Sequence, residues 1–147
     1  MVLPLTSTAF GDGETIPMKF TCDGEDISPQ LAWSGAPPAT QSQVLIMDDP
    51  DAPSGTWVHW VLFDIDPQVK ELPERASGIG VQGSNGYRRT GYRGPCPPPG
   101  KPHRYFFKLY ALDVKLGLGA GASKAEVEKA MQHHIIAQGQ TIGNYGR

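Results

Sequence analysis

Glycine and proline interrupt this chain too often for a helical bundle: 18 glycines and 14 prolines fall among 147 residues. Proline fixes φ and removes a backbone donor, and glycine loses the most entropy on ordering, so both resist long regular elements. What remains between them are short apolar runs that read as strands joined by turns and ordered loops. The length suits one domain, residues 1–147, with a single substantial core.

Val44–Met47 is a continuous apolar run and reads as a buried strand. The stretch DDPDAPSG then breaks it, because Pro50 and Pro53 lack N–H groups and Asp and Gly favour turns. A second strand follows over Thr56–Ile65. Strict alternation would put Trp57, His59, Val61, Phe63 and Ile65 on one of its faces. Residues 66–102 are too rich in Gly and Pro for a regular element, and so long an irregular segment tends to be functional. It leads into a third strand, His103–Leu112, with His103, Tyr105, Phe107 and Leu109 on one face. Ser123 and Glu126 have capping-box spacing, and Val127, Ala130, Met131 and Ile135 recur at helical intervals, which predicts a helix running to Gly139. The tail QTIGNYGR could add a last strand. The sum is a mainly β domain, two packed antiparallel sheets with one clear helix.

The formal charge of −2 advertises neither nucleic acid nor an anionic membrane as a partner. The N-terminal stretch has no basic region followed by a long apolar one, so no transmembrane insertion and a cytoplasmic location are the expectations. Cys22 and Cys96 form no CxxC pair. In a reducing compartment they are expected as two thiols, with a disulfide between them the alternative.

One short stretch, DDPDAPSGTWVHW, concentrates carboxylates beside tryptophans and a histidine. Buried acid needs partners, so this is either a solvated turn or the rim of a site. A second histidine, His103, follows the loop GPCPPPGKP. If the two strands are neighbours, His59, His103 and Tyr105 meet Asp49 or Asp51 at one end of the sheet. Such a pocket suits a small anionic or zwitterionic head group. Two satisfied core histidines beside a solvated turn are the plainer alternative.

The segments SPQLAWSGAPPATQSQVLIMDDPDAP, TWVHW, GYRGPCPPPGKPHRY and NYGR resemble the phosphatidylethanolamine-binding protein family, most of all its small bacterial and archaeal Raf kinase inhibitor-like members. The resemblance spans nearly the whole chain. It implies a Greek-key fold of two antiparallel sheets with one or two short helices, and a small cavity for phosphate-like anions or phosphorylated head groups. The ligand-binding positions it implies are Asp49, Asp51, Trp57, His59, Gly94, Pro95, Cys96, Pro97, Pro98, His103 and Tyr105. Cys96, His59, His103 and an aspartate could in principle hold zinc, but no dense Cys/His spacing supports it, and neither a metal nor a cofactor is expected. The resemblance further implies a homodimer and a kinase or protease as partner. Only Ser54, Gly55 and Thr56 separate Pro53 from Trp57, a shorter connection than the larger eukaryotic members carry, which puts kinase regulation in particular doubt.

A carboxylate repels an anion, so Asp49 is expected to orient or charge a histidine, or to receive an ammonium. Histidine-based capture should weaken as pH rises. The function expected is therefore ligand binding rather than catalysis, with inhibition through surface loops as one alternative. A small hydrolase using Cys96 or the Asp/His set is the other, although no GxSxG elbow is present. GLGAGA, residues 117–122, lacks the following strand and acidic residue that a dinucleotide site needs, and reads as a loop leading into the helix. Arg88, Arg89 and Arg93 interleave with Tyr87 and Tyr92, which fits a pocket rim or a solvated face better than a nucleic-acid surface at this charge balance.

Overall fold

The computed structural model describes all 147 residues. The apolar runs pair into two antiparallel sheets. The smaller is built from β1 (Leu5–Thr6), β2 (Leu31–Trp33) and β5 (Glu71–Leu72), in the order β1-β2-β5. The larger comprises β3 (Ser42–Asp49), β4 (Trp57–Ile65), β6 (Val81–Gln82), β7 (His103–Leu112) and β8 (Ile135–Tyr145), in the order β6-β4-β3-β7-β8. β3 is central and buried along its whole length, which is why it reads as an unbroken apolar run rather than an alternating one.

The main core lies between the sheets and includes Leu31, Trp33, Leu45, Met47, Trp60, Leu62, Tyr105, Phe107 and Leu109. A smaller core on the outer face of the large sheet packs Val44, Ile46, Val61 and Phe63 under helix α1 (Lys124–Met131), through Val127 and Met131. Each large aliphatic side chain so buried contributes roughly 1.5–3 kcal/mol. No helix is long and apolar enough to cross a membrane.

Alternation fails along β4, and the register shows why. Met47 pairs with Trp60 but Asp48 pairs with Val58, so His59 is an extra residue in the ladder. Gln43 pairs with Ile65 and Leu45 with Leu62, which marks a second bulge beside Asp64, a residue with φ of 50°. Each bulge inserts one residue and reverses the alternation beyond it. Trp60, Leu62 and Ile65 therefore face the main core, while Val61 and Phe63 turn to the outer one. The expected common face of His59, Val61 and Phe63 does not exist.

The helix is also shorter than its periodicity predicts. Its capping box forms in full: Glu126 N–H donates to Ser123 Oγ (3.1 Å) and Ser123 N–H donates to Glu126 Oε1 (2.9 Å). It ends at Met131, however, and His133 takes a φ of 69°. Ile135 belongs to β8 and pairs with Leu112. A long ladder against β7 outweighs a few more helical turns, since helix propensity is a weak prior against tertiary pairing. His134, which the longer helix would have carried, lies between the two elements and bonds Asp113 Oδ1 through Nδ1 (2.8 Å).

Cys22 and Cys96 are joined in a disulfide, with Cα atoms 5.4 Å apart, so the two-thiol expectation is overturned. Their separation of 74 residues hid the contact from the sequence. The fold closes that distance with hydrogen bonds: Cys22 N–H donates to Pro95 O (3.1 Å), Gly94 N–H to Asp26 Oδ1 (2.7 Å) and Tyr92 O–H to Phe20 O (2.7 Å). Gly94 is required at this crossing, because a Cβ there would lie 2.0 Å from Phe20 O.

Candidate functional site

Three strand ends converge at one edge of the large sheet. β3 delivers Asp49 at its last position, β4 delivers Trp57 and the bulged His59, and β7 delivers His103 and Tyr105 from its first turn of pleat. The bulge matters here. It lets His59 turn toward the pocket side while Trp60, the next residue, still enters the main core.

Both histidines are oriented through Nδ1. His103 Nδ1–H donates to Asp49 Oδ2 at 2.7 Å, and both residues are more than nine-tenths buried. His59 Nδ1–H donates to the Arg93 carbonyl at 2.6 Å, and His59 O accepts from Arg93 N–H at 3.1 Å. A carbonyl or carboxylate can only accept, so in each ring Nδ1 carries the hydrogen and Nε2 is left for a ligand. Burial holds His59 below the ordinary imidazole range, with the Arg93 carbonyl and the charge of Asp49 opposing that shift. Tyr105 is fully buried with its ring 5.3 Å from His59 and 6.5 Å from His103. Desolvation, followed by the nearby Asp49 charge, raises its pKa, so the phenol stays protonated as a donor.

These groups line a cavity of about 180 Å³. Trp57 and Tyr87 meet edge to face at 5.4 Å and form an aromatic rim, and the Arg93 guanidinium lies 4.9 Å from the Tyr87 ring centre. Cys96, Pro97 and Pro98 form the opposite wall, and Ala52, Pro53 and Ser54 complete the mouth. The space is small beside the ~300–1,000 Å³ of drug-sized clefts. It can take a head group rather than a whole amphiphile.

Of the residues expected at the site, Asp49, Trp57, His59, Cys96, Pro97, Pro98, His103 and Tyr105 line the cavity together. Asp51, Gly94 and Pro95 do not. Asp51 turns away to Arg104, accepting from its backbone N–H, Nε–H and Nη2–H, each at 2.9 Å. That clamp, through its side-chain hydrogen bonds first, lowers the Asp51 pKa to about 2. Its own N–H donates to Asp49 Oδ1 (2.8 Å), so Asp51 shapes the turn that presents Asp49. Gly94 and Pro95 stitch the far wall to the turn at residues 20–26.

Tyr87 is the main lining residue the sequence did not single out for binding. Its signal was the turn pair Asn85–Gly86 just before it. Asn85 Oδ1 accepts from Tyr87 N–H (2.9 Å), and Gly86 lies against the Trp57 ring, where a Cβ would approach to 2.5 Å. No lysine or arginine lines the cavity, so any positive charge inside it comes from the histidines. No group of three His, Cys, Asp or Glu residues is placed to hold a metal ion.

Comparison with known proteins gives one consistent result. The family model described as phosphatidylethanolamine-binding protein matches residues 6–146. A UPF0098 protein of Methanothermobacter thermautotrophicus is 50% identical, over 97% of this chain and 98% of its own length. One from Aquifex aeolicus is 51% identical, over 99% and 90%. The crystal structure of a phosphatidylethanolamine-binding protein homologue from Chlamydia trachomatis superimposes with a TM-score of 0.95 at 42% identity, covering 99% of this chain and 98% of that one. Escherichia coli YbcL, described as a new member of the mammalian family, gives 0.92 at 33% identity, covering 99% and 98%.

Proposed function

This chain belongs to the phosphatidylethanolamine-binding protein family, and on that premise we propose that it is a binding protein for a small phosphate-like anion or phosphorylated head group, held in the Asp49/His59/His103/Tyr105 cavity. The observation that carries the reading is the pair of buried histidines whose Nδ1 atoms are already committed, to Asp49 and to the Arg93 carbonyl. Each offers Nε2 to the ligand. Tyr105 adds a protonated hydroxyl, and aromatic and proline side chains form the walls on either side.

With no permanent cation in the lining, capture of an anion is linked to protonation. An imidazolium at His59 donates from both nitrogens, to the Arg93 carbonyl and to the anion. Because burial disfavours that charged form in the empty pocket, the anion must draw a proton onto Nε2 as it binds. Affinity therefore rises as pH falls and weakens as pH rises. Sulfate is the cleaner probe of this dependence, since its charge is constant over the range while that of phosphate is not.

Cys96, bonded to Cys22, is not available in this form as a thiolate nucleophile, which favours binding over hydrolysis. Output through a kinase or protease partner and pairing of two copies belong to the same proposal and rest on the sequence and the family likeness alone; the cytoplasmic location rests on the sequence, and the Cys22–Cys96 disulfide, of a kind rare in a reducing compartment, weighs against it.

Calorimetric titration with inorganic phosphate, sulfate and O-phosphorylethanolamine tests the reading. Wild type should bind, more tightly at lower pH for sulfate, and His59→Ala should weaken binding by at least about tenfold. No binding by wild type at any pH from 5 to 8 would remove the head-group function and leave inhibition through loops as the reading to pursue.

A further inference from the structure

The cavity wall at Cys96, Pro97 and Pro98 makes few hydrogen bonds of its own beyond the stitched base at Gly94 and Pro95. It lies in the irregular segment between β6 and β7, and Pro97, Pro98 and Pro99 have no N–H to donate. Its non-covalent ties are these: Pro97 is buried, Arg147 reaches Pro97 O (3.4 Å), Gly100 N–H donates to Arg147 O (3.3 Å), and at the base Pro95 O accepts from Cys22 N–H (3.1 Å) and Gly94 N–H donates to Asp26 Oδ1 (2.7 Å). The one covalent tie is the bond from Cys96 to Cys22, which fastens the wall to the turn at residues 20–26. Both cysteines are solvent-exposed, so the bond is open to a reductant.

We infer that the Cys22–Cys96 disulfide is a redox latch on the ligand cavity, high in affinity when closed and low when opened by a dithiol reductant of the thioredoxin kind. The inference rests on the binding function proposed above. Opening acts in two ways. It frees the proline wall, so that binding must order it again, and it leaves a free sulfur on Cys96, a residue that lines the cavity.

The Arg147 guanidinium lies 3.9 Å from Cys96 Sγ and is also paired with Asp23 Oδ1 at 3.0 Å, beside Cys22, so it stands next to both sulfurs. The reductant's thiolate attacks one sulfur of the bond and forms a mixed disulfide there, while the other departs as the thiolate and takes a proton from water. The reductant's second thiol then displaces the bound cysteine, to which its proton passes. Two electrons pass to the protein, which ends with two thiols, and the reductant ends as its own disulfide. Such a latch stays closed where disulfides persist and opens where thiol reductants act.

The test compares sulfate and phosphate titrations of the oxidised wild type, the same protein in dithiothreitol, and Cys22→Ser, which breaks the bond without altering a cavity residue. Far-UV circular dichroism follows the fold throughout. Expected are binding by the oxidised protein, at least about tenfold weaker binding after reduction with unchanged secondary structure, recovery on reoxidation, and weak binding by Cys22→Ser with or without reductant. Equal affinity before and after reduction, or in Cys22→Ser, overturns the latch and leaves the pocket intact. Loss of the fold on reduction shows a structural bond and overturns it as well. No binding by the oxidised protein overturns the head-group function, and the latch falls with it.

Discussion

Asp48 and Asp49 are consecutive residues on one strand, equally buried, and opposite in use. Asp48 faces the outer side of the large sheet, where Lys124 Nζ and Lys108 Nζ reach its Oδ2 at 2.9 and 3.2 Å. Asp49 faces the cavity and is met by one histidine and one backbone N–H. The first carboxylate is matched by two permanent cations that tie β7 and α1 to β3. The second is matched by an imidazole whose other ring nitrogen faces the cavity, and by a turn amide. Burial alone does not separate an acid that ties elements together from one that lines a cavity. The kind of partner does.

That contrast can be broken from either side. The largest stability effect is expected from Asp48→Ala, which strands two half-buried ammonium groups. Breaking a buried pair costs several kcal/mol, and partial exposure of the lysines reduces this to about 2 kcal/mol. Urea denaturation should show that loss while phosphate affinity stays near wild type. An affinity drop as large as that of the neighbouring variant would mean the two faces are not independent. Asp49→Ala should do the reverse, weakening anion binding by at least about tenfold while lowering stability by only about 1 kcal/mol.

The smallest effect concerns Asp51, the half-buried third acid of the same turn. Arg104 holds its carboxyl at about 2, below the ordinary 3.8. A carboxyl with a depressed pKa stabilises the fold above its unfolded value and loses that contribution as pH falls through the folded one. Arg104→Ala should therefore be slightly less stable than wild type above pH 4, with the difference vanishing as pH falls toward 2. An NMR titration of the Asp51 carboxyl in both proteins reads the same effect directly. An unchanged midpoint would show that the clamp does not persist in solution, as many surface ion pairs do not.

Much of the site was legible because its signals are local. The acid-rich turn, the histidine after Trp57 and the histidine opening β7 are each visible within a few residues, and the family resemblance joined them. A residue's role is not legible locally where it depends on a partner distant in sequence. Asp51 looked like Asp49 until Arg104, 53 positions away, took it. Tyr87 looked like part of a basic aromatic loop until Gly86 let it settle against Trp57.

The sequence by itself determined the β frame, the start of α1 and the chemistry gathered at the pocket, because alternation, capping and turn preference act over neighbouring positions. Tertiary structure alone decided the rest. The bulge that turns His59 into the cavity exists only relative to the register of β3. The helix stops at Met131 because β7 offers Ile135 and its successors a ladder. The disulfide forms because two loops 74 residues apart are stitched together by backbone and side-chain hydrogen bonds. Each of these outcomes is a competition settled by a partner strand or loop, and no local pattern contains its partner.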